Sequence, residues 1–193
     1  LNTYVLSGDG EEVFKPTFSW QGFRYICLDE FPEGALENAE FTAIAVHSDI
    51  RRTGRFVCGH AGVNQLYHNL IWGQKSNFLD VPTDCPQREE RLGWTGDAQV
   101  FCPTACLNMP SGAFYRKYLH DLAIEQEKMG FVPVVVPYIL KESGTWQKPT
   151  TAWADAAAIM PWVIYVYCGE KELLKKQYPS MKMHVDTITH CGD

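Results

Sequence analysis

Residues 84–97, DCPQREERLGWTGD, hold four carboxylates (Asp84, Glu89, Glu90 and Asp97) interleaved with Arg88, Arg91 and Trp94. Carboxylate groups at close quarters are the usual tools for cleaving a glycosidic bond. One keeps its proton and donates it to the leaving oxygen, while another activates water or attacks the anomeric carbon. The donor must hold its proton near neutral pH, which requires burial or neighbouring negative charge. Around Glu90, that charge can come from Asp84, Glu89 and Asp97. Arg88 and Arg91 act in the opposite sense, so the segment must direct its guanidinium groups away from the acid. A solvated loop with local ion pairs would also be rich in charge. It would not need a large ring, nor the fixed bends that Pro82, Pro86, Gly93 and Gly96 impose.

The elements that must position this segment fall into two kinds. Residues 3–6, 23–28 and 41–46 are rich in Val, Ile, Phe, Tyr and Thr and are separated by Gly, Pro, Asp and Glu clusters, which predicts strands. Three short strands cannot close a sandwich, so they are expected to end a larger β-domain. Beyond Arg52 the period changes. Val63, Leu66, Tyr67, Leu70 and Ile71 mark one face of an amphipathic helix, and Tyr115, Tyr118, Leu119 and Leu122 repeat the pattern. A short helix over 97–107 is expected to bend or break at Pro103. Residues 152–167 are apolar nearly all round, as in a helix packed between others. Leu174, Tyr178, Met181, Val185 and Ile188 keep helical spacing, with Pro179 as an expected break or restart. Strands first and helices afterwards argue for two domains, at 1–52 and 53–193.

Composition narrows the partners. The 193 residues carry 17 Lys plus Arg against 23 Asp plus Glu, a net charge of −6, and no basic stripe. Nucleic acid is therefore excluded as an expected partner. The most apolar run, 154–168, is too short to span a bilayer and contains Asp155 and Pro161, so no membrane segment is expected. Aromatic residues reach 13%, enough to fill a core and also to line a sugar site. Seven cysteines without regular spacing predict reduced, mostly buried thiols rather than a disulfide framework or a metal centre, although Cys102 and Cys106 could share a helix face. The start at Leu1 and the stop at Asp193, directly after a helical pattern, read as an internal piece of a longer protein, which leaves location open.

DCPQREERLGWTGDAQ resembles the active-site motif of the family 78 glycoside hydrolases, the bacterial and fungal α-L-rhamnosidases. Residues 18–25, FSWQGFRY, resemble the end of the β-sandwich that precedes that family's catalytic domain. Residues 64–82 resemble its first catalytic helix and loop, and WADAA at 153–157 resembles a later inner helix. The resemblance implies a mainly α fold, part of an (α/α)6 barrel preceded by a few strands from the end of a β-sandwich domain. It implies inverting hydrolysis of terminal α-L-rhamnose from glycosides or polysaccharides, without a cofactor. By that resemblance Glu90 matches the general acid, Asp84 and Asp97 match carboxylates that hold sugar hydroxyls, and Trp94 matches a wall of the pocket. Arg88 and Glu89 match supporting positions, Glu89 standing where many members have Asp. Trp146 and Trp153 are further candidate rings, for which plain core packing is an equal expectation.

The family's general base is a glutamate further along the barrel, and no residue of this chain matches it. The piece alone is therefore expected to be inactive. Competing expectations are a carbohydrate-binding protein without turnover and an (α/α)6 glycosidase for another sugar. A cysteine hydrolase using Cys85 with His60 or His68 lacks a base motif. The six His show no HExxH spacing for a metal hydrolase, and the acidic loop is compatible with calcium.

Overall fold

A computed structural model describes residues 2–140 and 148–191. Five α-helices carry the fold: α1 (Ala61–Asn77), α2 (Thr95–Asn108), α3 (Gly112–Met129), α4 (Ala156–Cys168) and α5 (Lys171–Cys191). A two-residue hairpin, β1 (Phe78–Leu79) with β2 (Val81–Pro82), follows α1. Left-handed glycines end two of the helices, Gly130 after α3 (φ 79°) and Gly169 after α4 (φ 71°), positions where a side chain would be strained.

The core lies among α2, α3 and α4. Tyr115, Tyr118, Leu119 and Leu122 of α3 are fully buried, so the stripe read from the sequence is the packed face. Small residues let α2 and α4 approach closely: Ala98, Cys102 and Ala105 share one buried cluster with Ala156 and Ala157. Cys102, Cys106 and Cys168 group together at that contact and are free thiols. Hydrogen bonding to Cys102, then burial, pushes the Cys106 thiol up, and burial pushes Cys168 up to about 11, so both are poor nucleophiles.

Two expectations about breaks are corrected. Neither Pro103 nor Pro179 interrupts its helix. A mid-helix proline loses one backbone bond and crowds the preceding turn, a penalty of about 3 kcal/mol that packing can offset. Next to Pro179, the buried Gln126 of α3 donates to the Ser180 carbonyl (3.1 Å) and accepts from its hydroxyl, which ties α5 to the core there.

The three expected strands are also corrected. Among the described residues before α1 the only regular element is a 3-10 turn, Leu36–Asn38. A strand exists by its ladder to a neighbour, and here the segments have none. Val5 (84%) and Tyr25 (84%) stand open to solvent. Likewise Val63 and Leu66 of α1 are exposed although they lie on its apolar stripe, whereas Ile71 and Gln74 are buried. No helix among the described residues is long and apolar enough to cross a membrane.

Candidate active site

The 84–97 loop is closed at its base by Asp84. Its amide donates to the Leu92 carbonyl (3.3 Å) and its carboxylate accepts from the Leu92 amide (3.1 Å). From there Gly93, Trp94 and Thr95 run antiparallel to residues 134–136. Thr95 N–H donates to the Val134 carbonyl (2.9 Å), and Val136 N–H donates to the Gly93 carbonyl (2.8 Å). α2 then starts at Thr95, which places Asp97 in its first turn. The tip, residues 87–90, is exposed.

Asp84, Asp97 and Trp153 lie together on the wall of a cavity of about 690 Å³, with Gly96, Phe101 and Tyr115. That volume suits a small ligand. Trp153 covers Gly96 so closely that an added Cβ would stand 2.9 Å from its ring. Trp153 is itself presented by a tight turn at 151–155, in which Ala152 has φ 69° and the Asp155 carboxylate accepts from the Ala152 amide (3.0 Å). The buried His184 of α5 meets the other oxygen of Asp155 at 3.0 Å. Sequence reasoning missed this support; WADAA pointed to the helix but not to the histidine 29 residues away.

The two arginines part company. Arg91 donates to the Trp20 carbonyl (2.7 Å) and its guanidinium lies 5.1 Å from the Trp20 ring centre, so it is engaged away from Glu90. Arg88 pairs with Glu90 at 2.6 Å, the contact the loop was expected to avoid. Both side chains are at least half exposed, so the pair is worth about 0–1 kcal/mol and is readily exchanged. Glu89 is exposed. Asp97 is the carboxylate whose surroundings favour its proton: partial burial raises it above its ordinary value, its own backbone N–H opposes, and the charges of Asp84 and Glu90 add to the rise.

Trp94 is placed differently from the expectation. Its indole N–H donates to the Glu90 carbonyl (3.2 Å), and its ring packs with Val134, Val135 and Tyr138 rather than lining the cavity. Trp146 lies outside the described residues. Asp84, Cys85 and Glu90 bring donor atoms within 4.8 Å of one another. A buried thiol and a guanidinium beside these carboxylates do not suit calcium, which takes oxygen ligands. Burial, then Asp84, pushes the Cys85 thiol up, with Arg88 opposing, so no activated cysteine nucleophile is formed. His60 caps α1 through Nδ1 and His68 lies against Trp72.

A helical domain with a carboxylate loop beside an aromatic-lined cavity is an arrangement a glycosidase can use. The family description "bacterial alpha-L-rhamnosidase 6 hairpin glycosidase domain" matches residues 51–193, and "bacterial alpha-L-rhamnosidase concanavalin-like domain" matches 1–47. The chain belongs to the bacterial α-L-rhamnosidase family. It is 38% identical over 184 residues to an alpha-L-rhamnosidase of Alteromonas sp. (strain LOR), covering 95% of this chain and 20% of that protein. It is 39% identical over 180 residues to one from Streptomyces avermitilis, covering 93% and 17%. Among solved structures, the Aspergillus terreus α-L-rhamnosidase superposes with a TM-score of 0.82 at 38% identity, over 92% of this chain and 20% of that one. The Streptomyces avermitilis enzyme complexed with L-rhamnose gives 0.66 at 38% identity, over 71% and 13%. The chain thus spans about a fifth of the length of the curated relatives it matches. These likenesses agree with a mainly helical chain that forms part of an (α/α)6 barrel.

Proposed function

We propose that this chain supplies the acid half of an inverting hydrolysis that removes terminal α-L-rhamnose from rhamnosides. In this reading Glu90 protonates the glycosidic oxygen, Asp84 and Asp97 hold sugar hydroxyls, and Trp153 forms an aromatic wall. Trp94, held beside Glu90 through its indole, is kept as a candidate sugar contact at the loop rather than in the cavity, Arg88 and Glu89 support the acid, and Trp146 is a further candidate ring. Residues 1–52 would complete a β-sandwich domain and 53–193 would begin the catalytic barrel. The substrates would be rhamnose-containing glycosides or polysaccharides. The observation that carries the reading is the juxtaposition of Asp84, Asp97 and Trp153 on one cavity wall, at the foot of the loop whose tip is Glu90. One carboxylate oxygen of Asp84 lies within 4.8 Å of one of Glu90. An inverting base must stand roughly 6.5–9.5 Å from the acid, so Asp84 is a poor candidate for that role.

The test is Glu90→Gln in the intact enzyme, on α-L-rhamnosides with good and poor leaving groups. Turnover should fall by roughly 10²–10⁴-fold on the poor leaving group and far less on the good one. Unchanged turnover on the poor leaving group would remove Glu90 from the role. Proton NMR of the first product reports the stereochemistry. The β anomer supports inversion, whereas the α anomer would recast a carboxylate near Glu90 as a nucleophile.

A further inference from the structure

We propose that Tyr118 and Thr95 are positioning residues for the acid loop; this rests on the reading of Glu90 as the acid. Neither touches the cavity, and both are fully buried. The loop tip that carries Glu90 is exposed and its backbone is tied to the stem through the Trp94 indole, so its aim depends on the stem beneath it. That stem is fastened at Gly93, whose carbonyl accepts from the Val136 amide at 2.8 Å and from the Tyr118 hydroxyl at 2.9 Å. Two residues on, the Thr95 hydroxyl donates to the carbonyls of Val134 (3.0 Å) and Pro133 (3.3 Å), beside the backbone bond from its own amide. Between the two anchors stands Trp94, whose indole holds the Glu90 carbonyl. A path of hydrogen bonds and the short backbone run 93–95 therefore leads from the Glu90 carbonyl to the core of α3 and the 133–136 segment. Burial, then the nearby charge of Asp97, pushes the Tyr118 phenol well up, so it remains a donor throughout the working pH range.

Proton transfer depends steeply on placement, and a displacement near 1 Å can lower turnover by about two orders of magnitude. Removing one hydroxyl leaves Gly93 its amide partner, so the expected displacement is partial. In the full-length enzyme, Tyr118→Phe should lower kcat on an alkyl α-L-rhamnoside by about tenfold and on 4-nitrophenyl α-L-rhamnoside by less than about twofold, with KM unchanged. Thr95→Val should show the same selectivity, and Thr95→Ser, which keeps the hydroxyl, should restore it. Tyr138→Phe is the control. Tyr138 is buried beside the same segment, its hydroxyl has no partner among the described residues, and its removal should leave the ratio of the two rates unchanged.

Equal losses on both substrates, accompanied by a lower Tm, would make the two hydroxyls merely structural and overturn the proposal. So would unchanged rates. If Tyr118→Phe fails to fold, the Thr95 pair decides by the same criterion. Leaving-group dependence in Glu90→Gln without any in the hydroxyl variants defeats the positioning role alone. Its absence in Glu90→Gln removes the acid assignment, and the positioning role falls with it.

Discussion

Gly93→Ala should loosen the stem of the acid loop by a predictable amount. A Cβ built on Gly93 would stand 2.1 Å from the Val136 carbonyl oxygen, 3.3 Å from its carbon and 3.4 Å from the Tyr118 ring. The closest of these is main chain, so no side-chain rotation relieves it. The 133–136 segment must move away, which breaks the Val136–Gly93 and Thr95–Val134 backbone bonds, and part of the crowding persists. Losing the two hydrogen bonds costs about 1 kcal/mol each, and overpacking a filled site adds about 1–3 kcal/mol. A local destabilisation of about 3–5 kcal/mol follows. Hydrogen–deuterium exchange in the intact protein reads this directly. The amides of Thr95 and Val136, both bonded across the contact, should lose protection by roughly a hundredfold or more, while the core of α3 changes less. Unaltered exchange at both amides would refute the close approach of the two segments.

Two other perturbations have expected signs. Gly73 lies inside α1 with open space where a Cβ would go, so Gly73→Ala should raise stability by about 0.5–1 kcal/mol in urea or thermal unfolding; a loss would show that face to be covered. Asp97 has a folded pKa raised above the ordinary 3.8, so its contribution to stability is greatest below that value and is lost as pH rises through the folded pKa. Asp97→Asn should therefore raise the stability at pH 7 by less than about 1 kcal/mol given its exposure, read as a higher Tm, with the gain vanishing near pH 3 and turnover falling. A gain that is larger at pH 3 than at pH 7 would contradict the sign.

What was legible in the sequence was local. The spacing of Tyr115, Tyr118, Leu119 and Leu122 identified a packed face because helical period and burial coincide on one element. The 84–97 loop was legible because its carboxylates, glycines and tryptophan lie within one short run. Its supports were not, since they come from distant parts of the chain. Tyr118 reaches Gly93 across 25 residues, Thr95 reaches Val134 across 39, and Arg91 reaches Trp20 across 71. A hydroxyl on a buried helical stripe looks like any other ring in the pattern, and a run such as VPVVVP carries no mark of its partner. The strands failed for the complementary reason. Propensity named residues suited to a ladder, but the ladder itself requires neighbours that these segments lack here.

The contrast between stem and tip bears on how such a loop can work. The stem is bound at Asp84, Gly93 and Thr95 by several buried or partly buried bonds, each worth about 1 kcal/mol. At the tip the Glu90 side chain is held by the Arg88–Glu90 pair, worth at most about as much as one of them because both groups are wet. A sugar entering the cavity can therefore displace the ion pair without disturbing the frame. It would meet Asp84 and Asp97 already in place, and only Glu90 would have to turn. Had the energies been reversed, with a buried ion pair at the tip and a loose stem, releasing the acid would have cost about 3–5 kcal/mol and left its position undefined. The order of strengths suits the proton donor proposed for Glu90: a fixed origin and a side chain free to leave its resting partner.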